Sequence, residues 1–275
     1  MLRAGTTTAQ VFGSSHPGSM DAFFSACHKR HLRMLAGKVL MDRNAPEALL
    51  DGATGIADSE RLIEDWHGKS RLGYSVTPRF APTSTKTQMD AAGALLHNDP
   101  SLWLQTHLAE NSGELDWVAE LFPGSRDYLS VYEEAGLVGP RSTFAHGIHL
   151  DKQTGMAFTF ASDIGAGTDL SGFGTLKAAY QVGQLGGQPL TAWQGFYGLT
   201  MGNAKALSLD DHIGQLAPSL EADFVVIDPQ STTLLARRIS RCTTLGERLF
   251  ALMMLADDRA IYETWAGGIC QHRRD

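Results

Sequence analysis

The 275-residue sequence predicts an α/β fold built on a parallel sheet. Two observations carry that expectation. Short β-branched or apolar runs alternate with longer amphipathic stretches along most of the chain. Three of the runs also end in a residue that can bind a metal or move a proton, and strand C-termini are where a (β/α) barrel keeps its chemistry.

The elements follow in order. Residues 6–12 read as a strand and 19–30 as the helix after it. Residues 34–41 form the next strand, and Pro46 opens a helix at a position where its missing N–H is tolerated. Residues 59–66 carry helical spacing through Leu62, Ile63 and Trp66. A strand at 73–78 precedes a helix over 84–96, capped by Ser84 or Thr85. A strand at 102–106 precedes helices at 114–122 and 128–135. Strands at 142–145 and 157–161 come next. Beyond Asp163 lie glycine-rich turns and helices near 175–185 and 191–207. The run 222–228, closed by Pro229, is a clear strand, and the apolar run 249–256 is a buried helix or strand.

Composition narrows the function. The net charge of −7 argues against non-specific nucleic-acid binding, which needs a basic face. The densest basic run, Arg237-Arg238-Ile239-Ser240-Arg241, reads as a solvated turn. Cys27, Cys242 and Cys270 are odd in number and lack metal-type spacing, which suits a reducing cytoplasm. No signal-peptide pattern opens the chain, and no apolar run reaches membrane-spanning length, so no membrane partner is expected.

The candidate chemistry sits at three strand ends. His107-Leu108-Ala109-Glu110 places an imidazole and a carboxylate three residues apart where a buried strand opens into a loop. A neutral imidazole ligates zinc, and a nearby carboxylate can pass protons to and from metal-bound water. Phe144-Ala145-His146-Gly147 and Ala161-Ser162-Asp163-Ile164 repeat the design. Each residue alone reads more simply as a satisfied polar group or a loop cap. Their recurrence at strand ends brings the metal-site reading level with the simpler one.

The sequence resembles the amidohydrolase superfamily and, within it, the guanine deaminases. The resemblance rests on Met41-Asp42-Arg43-Asn44-Ala45-Pro46, Thr77-Pro78-Arg79-Phe80-Ala81-Pro82-Thr83, Thr106 to Asn111, Phe144 to Gly147 and Asp163 to Thr168. Smaller matches are Gly5 to Thr8 and Glu221 to Val226, so it runs along nearly the whole chain. It implies an incomplete TIM (β/α)8-type barrel with remnant strands of a small β-domain. The expected division is residues 1–215 as the partial barrel and 216–275 as the C-terminal β-domain segment.

The resemblance further implies zinc-dependent hydrolytic deamination of guanine to xanthine and ammonia, in purine catabolism. His107, His146 and Asp163 match zinc ligands, and Asp163 also matches the base toward the attacking water. Glu110 matches the proton shuttle. Arg79 and Phe80 match the residues that recognise guanine, by donation to the base and by stacking. A cytoplasmic homodimer acting on a small molecule is the expected setting.

Two family features are absent from these 275 residues. No His-x-His occurs, a motif that in the family ends the first barrel strand and supplies two ligands. Only 16 residues separate His146 from Asp163, too few for the rest of one βα unit plus another complete one, which together need about 30 or more. The chain therefore reads as a fragmentary or internally deleted guanine deaminase, with about six of the eight barrel strands. Its alternatives are a catalytically inactive remnant, a non-enzymatic partner of intact subunits, or an amidohydrolase for another aminated heterocycle.

Overall fold

The computed structural model describes residues 1–150, 157–167 and 169–275. Thr168, the last residue of the Asp163 motif, lies outside the described residues. Packing divides the chain into two compact units, Thr8–Met156 and a second made of Met1–Thr7 with Ala157–Asp275. The expected division at 215/216 follows instead the family's order of elements.

The first unit is a run of βα repeats. Its strands are β1 (Thr8–Phe12), β2 (Arg33–Gly37), β3 (Val39–Leu40), β4 (Leu72–Pro78), β5 (Trp103–Leu108) and β6 (Ser142–His146). Helices α1 (Pro17–Lys29), α2 (Gly55–Trp66), α3 (Lys86–Asn98), α4 (Ser112–Leu121) and α5 (Tyr128–Glu134) connect them. All pairings are parallel, in the order β1-β2-β4-β5-β6, with β3 continuing along β4 beyond β2. Pro46 opens only a single 3-10 turn, Glu47–Leu49, because the loop it begins soon turns back to the sheet through Asp51.

Burial follows position in the sheet. β2 and β4 are buried along their whole length, as expected of strands covered on both faces. β1 and β6, at the two ends of the strand order, are half-buried. The core beneath the helices gathers Met20, Phe24, Met34, Leu62, Tyr74, Met89 and Leu104, each at most 1% exposed. At about 25 cal/mol per Å² of apolar surface, side chains of this kind supply most of the driving force for folding. Gly37 sits where β2 crosses closest to β4: a Cβ there would lie 1.8 Å from the Ser75 carbonyl oxygen.

The helix starts are chemically specified. Thr85, one of the two expected caps, accepts from the Gln88 N–H at α3, while Asn111 caps α4 and Asp127 forms a capping box at α5. At the opposite end of the sheet from the candidate site, His67 Nδ1 accepts from the Tyr74 N–H at 3.0 Å, and its Nε2 lies 2.9 Å from Ser101 Oγ. Burial pushes the His67 pKa down, against the pull of Asp99 and with the repulsion of Arg141. The unfolded chain therefore binds the proton more readily, and His67 stabilises the fold above about pH 6.5 but progressively less as pH falls. Urea midpoints should fall more between pH 7.5 and 5 for the natural chain than for His67→Asn. Parallel slopes would show that His67 is not the titrating group.

The second unit carries α6 (Gly172–Leu185), α7 (Ala192–Tyr197), α8 (Asn203–Ala206), β7 (Phe224–Ile227), α9 (Thr233–Ile239), α10 (Leu245–Leu255), β8 (Ile261–Ala266) and β9 (Ile269–Arg273). The three strands form an antiparallel sheet in the order β7-β8-β9. Phe173, Leu235, Leu252 and Ile261 form one core cluster; Leu176, Ala192 and Met253 form another. Thr264 Oγ1 donates to the Leu2 carbonyl at 2.7 Å, tying the start of the chain to β8.

Three expectations are corrected here. Residues 157–161 form no strand: Phe160 instead bonds the Asn203 side-chain amide through both its N–H and its carbonyl, each at 2.9 Å, where a strand would bond a neighbouring backbone. Five parallel barrel positions, not six, therefore stand among the described residues. The helix expected over 191–207 is interrupted by a π-turn at Gly198–Gly202, where Gly198 leaves room for the Phe160 ring. Arg237 and Arg238 lie in the last turn of α9 and not in a loop, at the helix end that favours cations.

Candidate active site

The C-terminal ends of β5 and β6 bring two expected ligands side by side. Parallel register pairs His107 with Ala145 and Leu108 with His146. The His107 and His146 rings stand 5.2 Å apart between centroids. His146 Nε2 lies 3.7 Å from Glu110 Oε2, so the two histidines and the expected proton shuttle share one strand-end cluster. Ala109 and His146 have φ of 52° and 71°, a left-handed conformation that costs non-glycine residues energy and clusters at functional sites. Two backbone bonds hold this bend, Gly147 N–H to the Leu108 carbonyl at 2.8 Å and His149 N–H to the Ala109 carbonyl at 3.2 Å.

The turn after β4 joins the same cluster. Arg79 follows directly on β4, and its N–H donates to the Leu40 carbonyl. The Arg79 carbonyl accepts from the His107 N–H at 3.0 Å and lies 2.9 Å from His107 Nδ1. Donation from Nδ1 fixes the tautomer and leaves the Nε2 lone pair free, the usual arrangement of a metal-ligating histidine. Burial, the neighbouring His146 and the Arg79 charge push the His107 pKa down, against the Arg79 carbonyl and Glu110. The imidazole is thus neutral at neutral pH.

Arg79, Phe80, His107 and Glu110 line one cavity of about 380 Å³, with Asn111, Gly113, Glu114 and Trp117. The Arg79 guanidinium lies over the Phe80 ring at 4.7 Å, and Trp117 meets that ring edge-on at 6.0 Å. Phe80 is half-buried, its ring on the cavity wall. Burying a purine-sized ring against an aromatic face is favourable, and the guanidinium can donate two parallel hydrogen bonds to its edge.

Sequence reasoning missed the residues that hold this arrangement. Phe12 packs its ring 4.4 Å from that of His107. Glu114 Oε2 accepts from the Glu110 N–H at 3.2 Å. The Met41-Asp42-Arg43-Asn44 motif grips the segment after Phe80. Asp42 accepts from the Thr85 N–H at 2.7 Å, Arg43 donates to the Ala81 carbonyl at 3.0 Å, and Asn44 donates to the Pro82 carbonyl at 2.8 Å. The motif itself was visible in the sequence; its role as a clamp needed the fold.

Asp163 lies in the other compact unit, exposed, at φ 46°. Its carbonyl accepts from the Ala166 and Gly167 N–H groups, so it begins a tight turn instead of ending a strand. Of the further histidines that could supplement the site, His16 occupies the position before α1 without a capping side-chain bond, and His149 is exposed on the loop after β6. Among the described residues, no group of three or more His, Cys, Asp or Glu side chains is arranged to hold a metal.

The Amidohydrolase family matches this chain over residues 1–160 and 152–270, two segments that meet where the connection after His146 is short. Guanine deaminase of Escherichia coli is 43% identical over 310 aligned positions, covering all of this chain and 71% of that protein. Those 310 positions exceed the 275 residues present, so the alignment carries gaps on this chain's side. The solved E. coli structure superposes with a TM-score of 0.97 at 42% identity, over 100% of this chain and 73% of that one. Guanine deaminase from C. acetobutylicum, solved with guanine in its active site, gives a TM-score of 0.87 at 27% identity, over 98% of this chain and 72% of that one. A zinc-bound adenosine deaminase from Xanthomonas campestris shares the fold alone, with a TM-score of 0.78 at 18% identity, over 98% and 66% of the two chains. The five parallel strands are part of that barrel-type fold, and the chain belongs to the guanine deaminase family of amidohydrolases.

Proposed function

We propose that the cavity between Arg79, Phe80 and Glu110 binds guanine and serves its hydrolytic deamination to xanthine and ammonia. The observation that carries this reading is the convergence of the recognition pair and the proton carrier on one cavity beside His107. Arg79 would donate to the oxygen and ring-nitrogen edge of the base, while Phe80 stacks on it and Trp117 borders the cavity. Glu110 would protonate a ring nitrogen and then the leaving amine, with its carboxylate half exposed and free to exchange protons with water.

Zinc would supply an activated water to such a site. The donors fit it in part. His107 and His146 offer neutral nitrogen ligands, but a catalytic zinc needs about three protein ligands, and this unit brings together two imidazoles and a carboxylate already assigned to proton transfer. No step is therefore routed through a metal. That shortfall favours, as a second reading, a chain that binds guanine without turning it over. A cytoplasmic homodimer completes the proposal; among the described residues no helix is long and apolar enough to cross a membrane. The 1–215 and 216–275 division is kept as part of the same reading.

Equilibrium dialysis of labelled guanine tests the site. Replacing Arg79 by Ala should weaken binding by about 30-fold, the loss of a charge-assisted pair of hydrogen bonds. An unchanged dissociation constant would make Arg79 structural and remove the basis of the reading.

A further inference from the structure

Tyr132 reaches from α5 to the two segments that build the site. Its side chain is fully buried, and its ring is held between Tyr128 and Phe144 at centroid distances of 5.6 and 5.8 Å. The hydroxyl donates to the His107 carbonyl at 2.7 Å and accepts from the Ala81 N–H at 2.9 Å. Thr106 Oγ1 lies 3.2 Å away as a second donor. A phenol has one proton and two lone pairs, so every hydrogen-bonding position is filled.

The partners matter as much as the count. Ala81 follows Phe80 directly, and His107 is the strand-end imidazole. Beside the direct bond from the His107 N–H to the Arg79 carbonyl, this hydroxyl therefore makes a second tie between the turn that presents Arg79 and Phe80 and the strand that presents His107. Burial pushes the Tyr132 pKa up to about 12, so the proton it donates stays in place at neutral pH.

We propose that Tyr132 is a positioning residue for purine recognition, holding the Arg79-Phe80 turn in register with the His107 strand end through its hydroxyl. The assignment rests on the reading of the cavity as a guanine site. Removing the oxygen leaves two buried backbone groups without their partner, and the turn then shifts on its Ala81 side, beyond the remaining bond from the His107 N–H to the Arg79 carbonyl. Tyr74 supplies a control: it is as fully buried, and its hydroxyl accepts from the Lys38 N–H at 3.2 Å, away from the cavity.

The test measures guanine dissociation constants and urea midpoints for the full chain and for Tyr132→Phe, Tyr74→Phe and Arg79→Ala. Tyr132→Phe is expected to weaken guanine binding about tenfold in folded protein and to speed amide exchange at Ala81. Tyr74→Phe should lower stability similarly and leave affinity unchanged. Should Tyr132→Phe fail to fold, Thr106→Val removes one bond to the hydroxyl and should weaken binding about threefold. Natural affinity in the Tyr132 variant, or in the Thr106 variant used in its place, while Arg79→Ala binds poorly, overturns the role of Tyr132 and leaves the site intact. Natural affinity in Arg79→Ala overturns the site reading and the proposal with it.

Discussion

The 275-residue chain, purified and supplied with zinc, is expected to convert guanine to xanthine far more slowly than the roughly 1–1000 turnovers per second typical of enzymes. The argument is one of ligand count and placement. The sequence holds no His-x-His, and the strand ends of β5 and β6 contribute two imidazoles 5.2 Å apart between ring centroids. A catalytic zinc needs about three protein ligands in fixed geometry. Asp163, the remaining candidate, begins a turn and is not carried by a strand. Misplacing a catalytic group by about 1 Å can cost on the order of 100-fold in rate. Release of ammonia from guanine, followed with zinc at increasing concentration, measures the rate. Turnover in the ordinary enzymatic range would mean that other donors complete the site, with His149 and His16 the first to replace.

Much of the first unit was legible because its signals are local. Apolar runs bounded by glycine, proline and cap residues gave the strands that became β1, β4, β5 and β6 to within about two residues, the run 34–41 was read as one strand where β2 and β3 stand, and Thr85 was readable as the cap of α3. The placing of the two histidines was legible for the same reason: His107 and His146 stand at the ends of strands that the parallel order makes neighbours. What stayed hidden depends on contacts distant in sequence. Nothing local marks Tyr132 as the bridge between Ala81 and His107, 51 and 25 residues away. Residues 157–161 alternate like a strand, but a strand exists only where a neighbouring backbone pairs with it, and here a side-chain amide from Asn203 takes that place. Trp117 sits on a helix with ordinary amphipathic spacing, so its place on the cavity wall needed the sheet to be assembled first.

The largest stability effect is expected at Lys38, which breaks β2 from β3. Its side chain is 2% exposed and is paired with Asp51, whose own side chain is fully buried. Asp51 Oδ2 also accepts from the Met41 N–H at 2.6 Å and from Gln88 Nε2 at 3.1 Å, so this carboxylate anchors both ends of the loop that carries the Asp42 clamp. Replacing Lys38 by Met keeps the volume and leaves a buried carboxylate without its cation. Such a loss costs about 3–5 kcal/mol, much of it the penalty of the stranded charge. Adding Asp51→Asn should recover about 2 kcal/mol of that loss by removing the charge. The asparagine oxygen can still accept from Met41. It also keeps Gln88 Nε2 as a donor, while the new N–H groups take the Oδ1 position toward residue 38. Chemical denaturation of the single and double variants decides the matter. A double variant less stable than Lys38→Met alone would mean that Asp51 acts as a hydrogen-bond acceptor whose charge the loop needs even without lysine.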